Sequence, residues 1–179
     1  MSDSHGNGTV AAGRVERSCH HDEGAEANVE LIDLIPNSMT FRVVTTIDVD
    51  HLDKVPADFT GRVRHFDQGR AVFVAWYQDG LLHNPGRTHP AYRQFRPDGK
   101  VKFDMYYTHG LLHDPSAKLP AVRGFYANGA VHYEERYFGG KRSDGRDGTP
   151  AIRKWRLDGT LRHELHYREG KRVPDSSGA

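Results

Sequence analysis

The feature that most limits what this chain can become is a period of 30 residues. Tyr77, Tyr107, Tyr137 and Tyr167 stand 30 apart, as do Gly80, Gly110, Gly140 and Gly170, and Gly69, Gly99, Gly129 and Gly159. Pro90-Ala91, Pro120-Ala121 and Pro150-Ala151 keep the same step. So do Arg93, Arg123 and Arg153, then Phe95, Phe125 and Trp155, and Leu82-His83 returns as Leu112-His113. One unit of this length is too small to bury its own apolar face, so copies must stack on one another.

Each unit reads as strands joined by tight turns. In Arg96-Pro97-Asp98-Gly99-Lys100 the proline presets φ, the aspartate can bond its own backbone, and the glycine accepts φ > 0. Ala127-Asn128-Gly129 and Leu157-Asp158-Gly159 are the equivalents. A second turn closes the other end, at Gln78-Asp79-Gly80, Thr108-His109-Gly110 and Arg168-Glu169-Gly170. A three-residue loop with a glycine bulge pairs Arg96 with Lys100 and Phe95 with Val101. It gathers Ala91, Phe95, Val101, Phe103 and Met105 on one side, where a one-residue slip would turn them to water. The same register predicts Arg93 opposite Phe103 and Arg123 opposite Tyr133, an arginine lying over a ring. The expected fold is all-β: an elongated, twisted antiparallel sheet of tandem 30-residue β-hairpin repeats with an N-terminal capping hairpin.

The organisation along the chain follows. Residues 1–28 have almost no large apolar side chains and are expected to be a disordered acidic tail. Residues 29–60 hold two β-rich runs, Val29–Ile35 and Thr40–Val49, flanking Pro36-Asn37-Ser38, and are expected to form a hairpin cap. Asp50 to Thr60 reads as irregular. The repeat array spans 61–173, its first unit worn (Thr60-Gly61 replaces Pro-Ala), and 174–179 is expected to be a disordered tail. Charge is divided accordingly. Residues 1–60 hold 4 Lys/Arg against 11 Asp/Glu, a balance of −7, and residues 61–173 hold 21 against 12, a balance of +9.

A single cysteine, Cys19, excludes an internal disulfide and fits a reducing cytoplasm. No apolar run approaches the roughly 18–20 residues that span a bilayer. Met1 to Gly13 lacks the pattern of a signal peptide. A soluble cytoplasmic protein is expected.

Chemistry-bearing patterns are sparse. Cys19-His20-His21 matches no structural zinc spacing, and no metal or cofactor is expected. There is no phosphate loop, Ser-His-Asp spacing or dinucleotide fingerprint, and no catalytic residue is assigned. Asp104, Glu134 and Glu164 recur at the period and suggest a solvated acidic row. His83, His113, His132, His163 and His166 lie in predicted strands or at their ends. Arg93, Arg123 and Arg153 form either a structural row stacked on aromatic rings or the lining of an anion-binding groove. With His83 and His113 they are the candidate binding residues. The polar loops Asn84 to His89, Asp114 to Leu119 and Asp144 to Thr149 recur on one edge, a common place for contacts.

The pattern of Tyr77, Gly80, Leu82-His83, Pro90-Ala91, Phe95 and Asp98-Gly99, repeated one period later, resembles the MORN-variant repeats of proteins often labelled YwqK-like antitoxins. The resemblance covers about residues 61–173. It implies a twisted antiparallel sheet of successive hairpins without known catalytic residues, in proteins that look like scaffolds, with lipid binding proposed for some. The third unit departs from the pattern, with Lys141-Arg142-Ser143 in place of Leu-Leu-His, so a role for His83 and His113 is not kept throughout.

The function expected from these features is a non-enzymatic protein–protein interaction module, antitoxin- or scaffold-like. The alternative is a binder of nucleic acid or acidic lipid headgroups through the basic repeats, since cations attract phosphate and rings stack on bases.

Overall fold

The structure, a computed structural model, describes residues 27–32 and 42–174. Strands β1 (Ala27–Ile32) and β2 (Arg42–Asp48) pair antiparallel, and a 3-10 turn follows at Leu52–Lys54. The first unit is the hairpin of β3 (Gly61–Asp67) and β4 (Arg70–Gln78), with β5 (Leu81–Leu82) folded back on β4. The second has a main hairpin, β6 (Tyr92–Phe95) and β7 (Val101–Met105), and a short ribbon, β8 (Tyr107–Thr108) and β9 (Leu111–Leu112). The third repeats this as β10 (Val122–Phe125), β11 (Val131–Glu135), β12 (Tyr137–Phe138) and β13 (Lys141–Arg142). The fourth is β14 (Ile152–Trp155), β15 (Leu161–Leu165), β16 (Tyr167–Arg168) and β17 (Lys171–Arg172).

The main hairpins form one sheet in the order β1-β2-β3-β4-β6-β7-β10-β11-β14-β15. The fold is all-β and its pairing is antiparallel with one departure. β2 runs parallel to β3, from Thr46↔Arg62 to Asp48↔Arg64. Parallel neighbours need a crossover, and Val49 to Thr60 supplies it. The cap's first strand begins at Ala27, two residues before the boundary read from sequence. Its turn at Pro36-Asn37-Ser38 lies outside the described residues, as do Cys19-His20-His21 and the tail beyond Pro174.

Both turns form as their residues dictate. At the outer turn the Arg96 amide donates to the Lys100 carbonyl at 2.8 Å, and Asp98 Oδ1 accepts the Lys100 amide at 3.1 Å. Asn128 and Asp158 do the same one and two periods on. The inner turns are two-residue turns with both central residues at positive φ: 52° and 73° at Asp79-Gly80, 48° and 76° at His109-Gly110. That geometry matches strand twist and selects glycine at its second position.

The register corrects the sequence reading. Phe95 does pair with Val101, but Gln94 pairs with Phe103, leaving Lys102 as an extra residue in a β-bulge. His132 and Arg162 are the extra residues of the next two units. The bulge moves Arg93 opposite Asp104, not Phe103, and Arg123 opposite Glu134, not Tyr133. It also divides the expected apolar set, because Phe95 shares its face with Arg93 while Phe103 and Met105 share theirs with Gln94 and Tyr92.

The apolar core is concentrated at the first unit, where Ile47, Val49, Val63, Phe73 and Ala75 are buried against Val55, Phe59, Tyr77, Leu82 and Tyr92. A row of rings runs outward from it: His65–Phe73, Phe73–Tyr92 and Tyr92–Phe103, with centroids 5.5, 5.6 and 5.8 Å apart. In the third unit the row continues differently. Tyr133 lies over Gly124, where a Cβ would fall inside the ring, so a strand glycine is covered by a cross-strand aromatic. By the fourth unit burial has thinned, and Leu161 to Glu164 are all exposed.

Candidate functional site

Across one face of the sheet, strand by strand, run Asp48, Arg64, Val74, Arg93, Asp104, Arg123, Glu134, Arg153 and Glu164, each opposite the next. The three candidate arginines therefore belong to a ladder of alternating charge. Arg93 holds Asp104 through two bonds, at 2.7 and 2.9 Å. Arg123 and Arg153 approach Glu134 from either side, at 3.2 and 2.7 Å. Asp104 and Glu134 are buried, 5% and 9% exposed, which corrects the expectation of a solvated acidic row; Glu164 alone of the three is exposed. Opposite charges facing across strands stabilise the pairing, and a carboxylate lost from beside a guanidinium would leave a half-buried charge. The arginines do meet rings, but along their own strands: Arg123 over Phe125 at 5.5 Å and Arg153 over Trp155 at 5.1 Å.

His83 and His113 lie elsewhere, in the row of short ribbons, and are not brought together with the arginines. His83 Nδ1 accepts the His109 amide at 3.3 Å, and His113 Nδ1 accepts the Gly139 amide at 3.1 Å. Each thus caps the left-handed residue of the next inner turn. Ser143 Oγ does the same for Glu169, and Thr60 Oγ1 for Asp79, at 3.1 and 2.8 Å. An acceptor is required at this place and histidine is one way to supply it, so the replacement of His by Ser143 keeps the contact. Burial and the neighbouring His109 hold the His83 pKa below its usual value, against the pull of Asp79.

The polar loops carry a device that sequence reasoning missed. Asn84 Oδ1 accepts the Ala91 and Tyr107 amides, both at 3.0 Å. Asp114 Oδ1 accepts those of Ala121 and Tyr137 at 2.7 and 2.9 Å, and Asp144 Oδ1 those of Ala151 and Tyr167 at 2.8 and 2.9 Å. One side-chain oxygen pins each loop to the next unit. When the clamp is a carboxylate, its second oxygen meets a side-chain nitrogen in phase: Arg136 on Asp114 and His166 on Asp144, both at 2.8 Å. Beside neutral Asn84 the same phase holds Tyr106, whose hydroxyl reaches the Thr88 carbonyl at 3.3 Å. Burial is the main influence on Asp114 and lifts its pKa above the ordinary carboxylate value, against the hydrogen bonds it accepts from Tyr137, Arg136 and Ala121.

What the array does not use internally collects at its last unit. Residues 141–174 hold 10 Lys/Arg against 5 Asp/Glu, a balance of +5, whereas the 80 residues 61–140 hold 11 against 7, a balance of +4. The side chains of Lys154, Arg162, Arg168, Lys171 and Arg172 are exposed and make no ion pair or hydrogen bond among the described residues. Arg142 takes the place of Leu112 one unit on. It is stacked between Tyr137 and Tyr167, 5.3 and 5.2 Å from their centroids, and reaches Glu135 at 2.8 Å. β15 has β14 on one side and, among the described residues, no strand on the other. An open depression of about 790 Å³ borders this edge, lined by Asp144, Arg146, Glu164, His166, Val173 and Pro174 among others.

Among the described residues no group of three or more His, Cys, Asp or Glu could hold a metal ion, and no helix is long and apolar enough to cross a membrane. Comparisons with protein families, with curated proteins and with solved structures found no match.

Proposed function

We propose that this chain is a non-enzymatic binding module that recognises another protein at the open end of its array. The observation that carries this is the edge of β15, which has no outer strand among the described residues, beside exposed cationic side chains that make no ion pair or hydrogen bond among them. Such an edge reads extended polypeptide through main-chain hydrogen bonds. The repeated ionic residues, by contrast, are engaged with one another, Arg93 with Asp104, Arg123 and Arg153 with Glu134, and Arg136 with Asp114. The resemblance to MORN-variant repeats supports a scaffold-like role in the same direction. Affinity capture with the intact protein and with the Arg162→Gln/Arg168→Gln/Lys171→Gln/Arg172→Gln variant tests it. A protein retained by the first and lost by the second supports the proposal, and capture indifferent to those four changes, or hydrolysis of substrates by the purified protein, overturns it.

A second reading draws on the same cations. Four exposed, unpaired Lys/Arg side chains at one end could meet phosphates of nucleic acid or acidic lipid. Such binding would weaken steeply with salt, and titration with oligonucleotides and acidic vesicles at two salt concentrations separates it from the first.

A further inference from the structure

We propose that the edge of β15, which has no outer strand among the described residues, is a strand-addition site for an extended segment of a partner protein with the pattern apolar–Arg–any–aromatic. The inference deepens the protein-binding reading and rests on it. Its basis is that the array already contains filled versions of this seat. On β7 lies β10, with Val122 opposite Met105, Arg123 opposite Asp104 and Gly124 opposite Phe103. On β11 lies β14, with Ile152 opposite Glu135, Arg153 opposite Glu134 and Lys154 opposite Tyr133. Each incoming strand carries an arginine at its centre and an aromatic two residues later, Phe125 or Trp155. β15 offers the same seat one period on: Leu165 for the apolar residue, Glu164 for the arginine and His163 for the variable position.

The charge at that seat is incomplete. In the filled seat on β11 Glu134 receives Arg153 from the incoming strand, while Arg123, its hairpin partner, holds it from the other side; in the seat on β7 Asp104 is held by Arg93 of its own hairpin. Glu164 stands opposite Arg153 in its own hairpin, but the Arg153 guanidinium is turned to Glu134, and Glu164 makes no ion pair among the described residues. An exposed carboxylate at the centre of the edge selects a cation and disfavours a phosphate.

The backbone pattern is equally specific. The Tyr106 amide donates to Ala121 and the Arg136 amide to Ala151, at 2.7 and 2.8 Å. Alternation along an antiparallel ladder then directs the amide and carbonyl of residues 104 and 134, and so of 164, toward the incoming strand. The depression beside His166 occupies the place that Pro120 and Ala121 take beside Tyr106, giving room for the residues that precede the strand. Pro174 stands where Asn84, Asp114 and Asp144 stand and offers no side-chain oxygen, so a guest here is held by the edge and not by a clamp.

The test uses the intact protein and a fluorescent peptide with the sequence of residues 119–126, titrated by anisotropy. Saturable one-to-one binding is expected. It should weaken about tenfold with Glu164→Arg, a change of roughly 1.4 kcal/mol, and return when that variant meets the peptide carrying Arg123→Glu. Methylating the peptide's arginine amide should abolish binding. Circular dichroism melts confirm that the variant, altered at an exposed position, remains folded. No binding, equal binding to Glu164→Arg, or tolerance of N-methylation overturns the proposal. Self-association of the protein that Glu164→Arg removes would assign the edge to a second copy and overturn it as well. If capture still depends on the four basic residues while the peptide fails, strand addition falls and the protein-binding reading stands.

Discussion

The two ends of the array are built from the same unit and finished differently. At the N-terminal end β2 covers β3, and the crossover stands in for a missing ribbon. The Gly80 amide donates to the Phe59 carbonyl as Gly110 donates to Leu82 and Gly140 to Leu112, all at 2.9 Å. Thr60 caps Asp79 as His83 caps His109. At the C-terminal end the same donors and acceptors have been laid out, but Pro174 holds the clamp position and β15 has no outer neighbour among the described residues. The apolar positions change in step: Met105 and Leu112 become Glu135 and Arg142. A repeat array needs its edges protected against indiscriminate pairing. This one closes the apolar end with backbone, whereas among the described residues the other end carries exposed charge and no covering strand.

The sharpest way to break the comparison is at the clamps. Arg136 is 4% exposed and Asp114 17%, while His166 and Asp144 are 37% and 27% exposed. Arg136→Leu should cost about 2–3 kcal/mol, since it removes the cation from a partly buried carboxylate that keeps only its two backbone amides, whereas His166→Leu should cost less than about 1 kcal/mol. The first effect has a pH signature. Burial raises the folded pKa of Asp114 above its unfolded value, so the folded state binds the extra proton and stability falls as pH rises through that window. Removing Arg136 takes away an opposing influence and widens the window upward. Urea midpoints should therefore show part of the Arg136→Leu loss recovered on going from neutral pH toward pH 4. A loss independent of pH would mean that Asp114 is not the group left without its counter-charge.

A second comparison uses one substitution at equivalent turns. Gly80 and Gly170 share a left-handed backbone, with φ of 73° and 84°, so alanine strains both by about 1 kcal/mol. Their surroundings differ. A Cβ at 80 would fall on the carbonyl of Ala57, at 110 and 140 it would come within 3.3 Å of Leu81 and Leu111, and at 170 it meets only the Lys141 Cβ, at 4.0 Å. Gly80→Ala should cost about 3 kcal/mol or more, because backbone must move. Gly110→Ala and Gly140→Ala should fall between, and Gly170→Ala should stay near the strain alone. Equal losses at 80 and 170 in denaturant titrations would show that the N-terminal end is no more tightly closed than the other.

The period, the turns and the all-β class were legible because they are written in residues whose backbone preferences are strong: Pro97, Asp98, Gly99, Gly110. The bulge was not. Val101, Phe103 and Met105 alternate cleanly in sequence, and nothing in that alternation reveals that Lys102 has no partner. One extra residue was enough to move Arg93 from a ring to a carboxylate. The parallel cap was hidden because Val55, Pro56, Phe59 and Thr60 match no phase of the repeat although they do a repeat's work. The clamp left a readable trace, an Asx seven residues before each Ala91, Ala121 and Ala151, with a nitrogen-bearing side chain, Arg136 or His166, in phase where the Asx is an aspartate and Tyr106 where it is Asn84. The open edge is a property of no single residue, since it depends on what lies beside β15.

The smallest effect expected separates the closed and open ends by pH alone. His83 and Ser143 cap equivalent turns, but only the histidine titrates. To accept the His109 amide, His83 Nδ1 must lack a proton, and burial together with His109 lowers its pKa. A folded pKa below the unfolded one means that this contribution is complete above about pH 6.5 and is lost as pH falls through the lower folded value. Hydrogen exchange at the His109 amide should thus accelerate relative to that at Glu169 between pH 7.5 and pH 5, after correction for intrinsic rates. His83→Ser should abolish the difference while leaving exchange at neutral pH nearly unchanged, because Ser143 shows that a hydroxyl fits the place. Persistence of the acid-induced loosening in His83→Ser would move its cause from the cap to another group, with His109 itself, 4.8 Å from His83 between ring centroids, the next to replace.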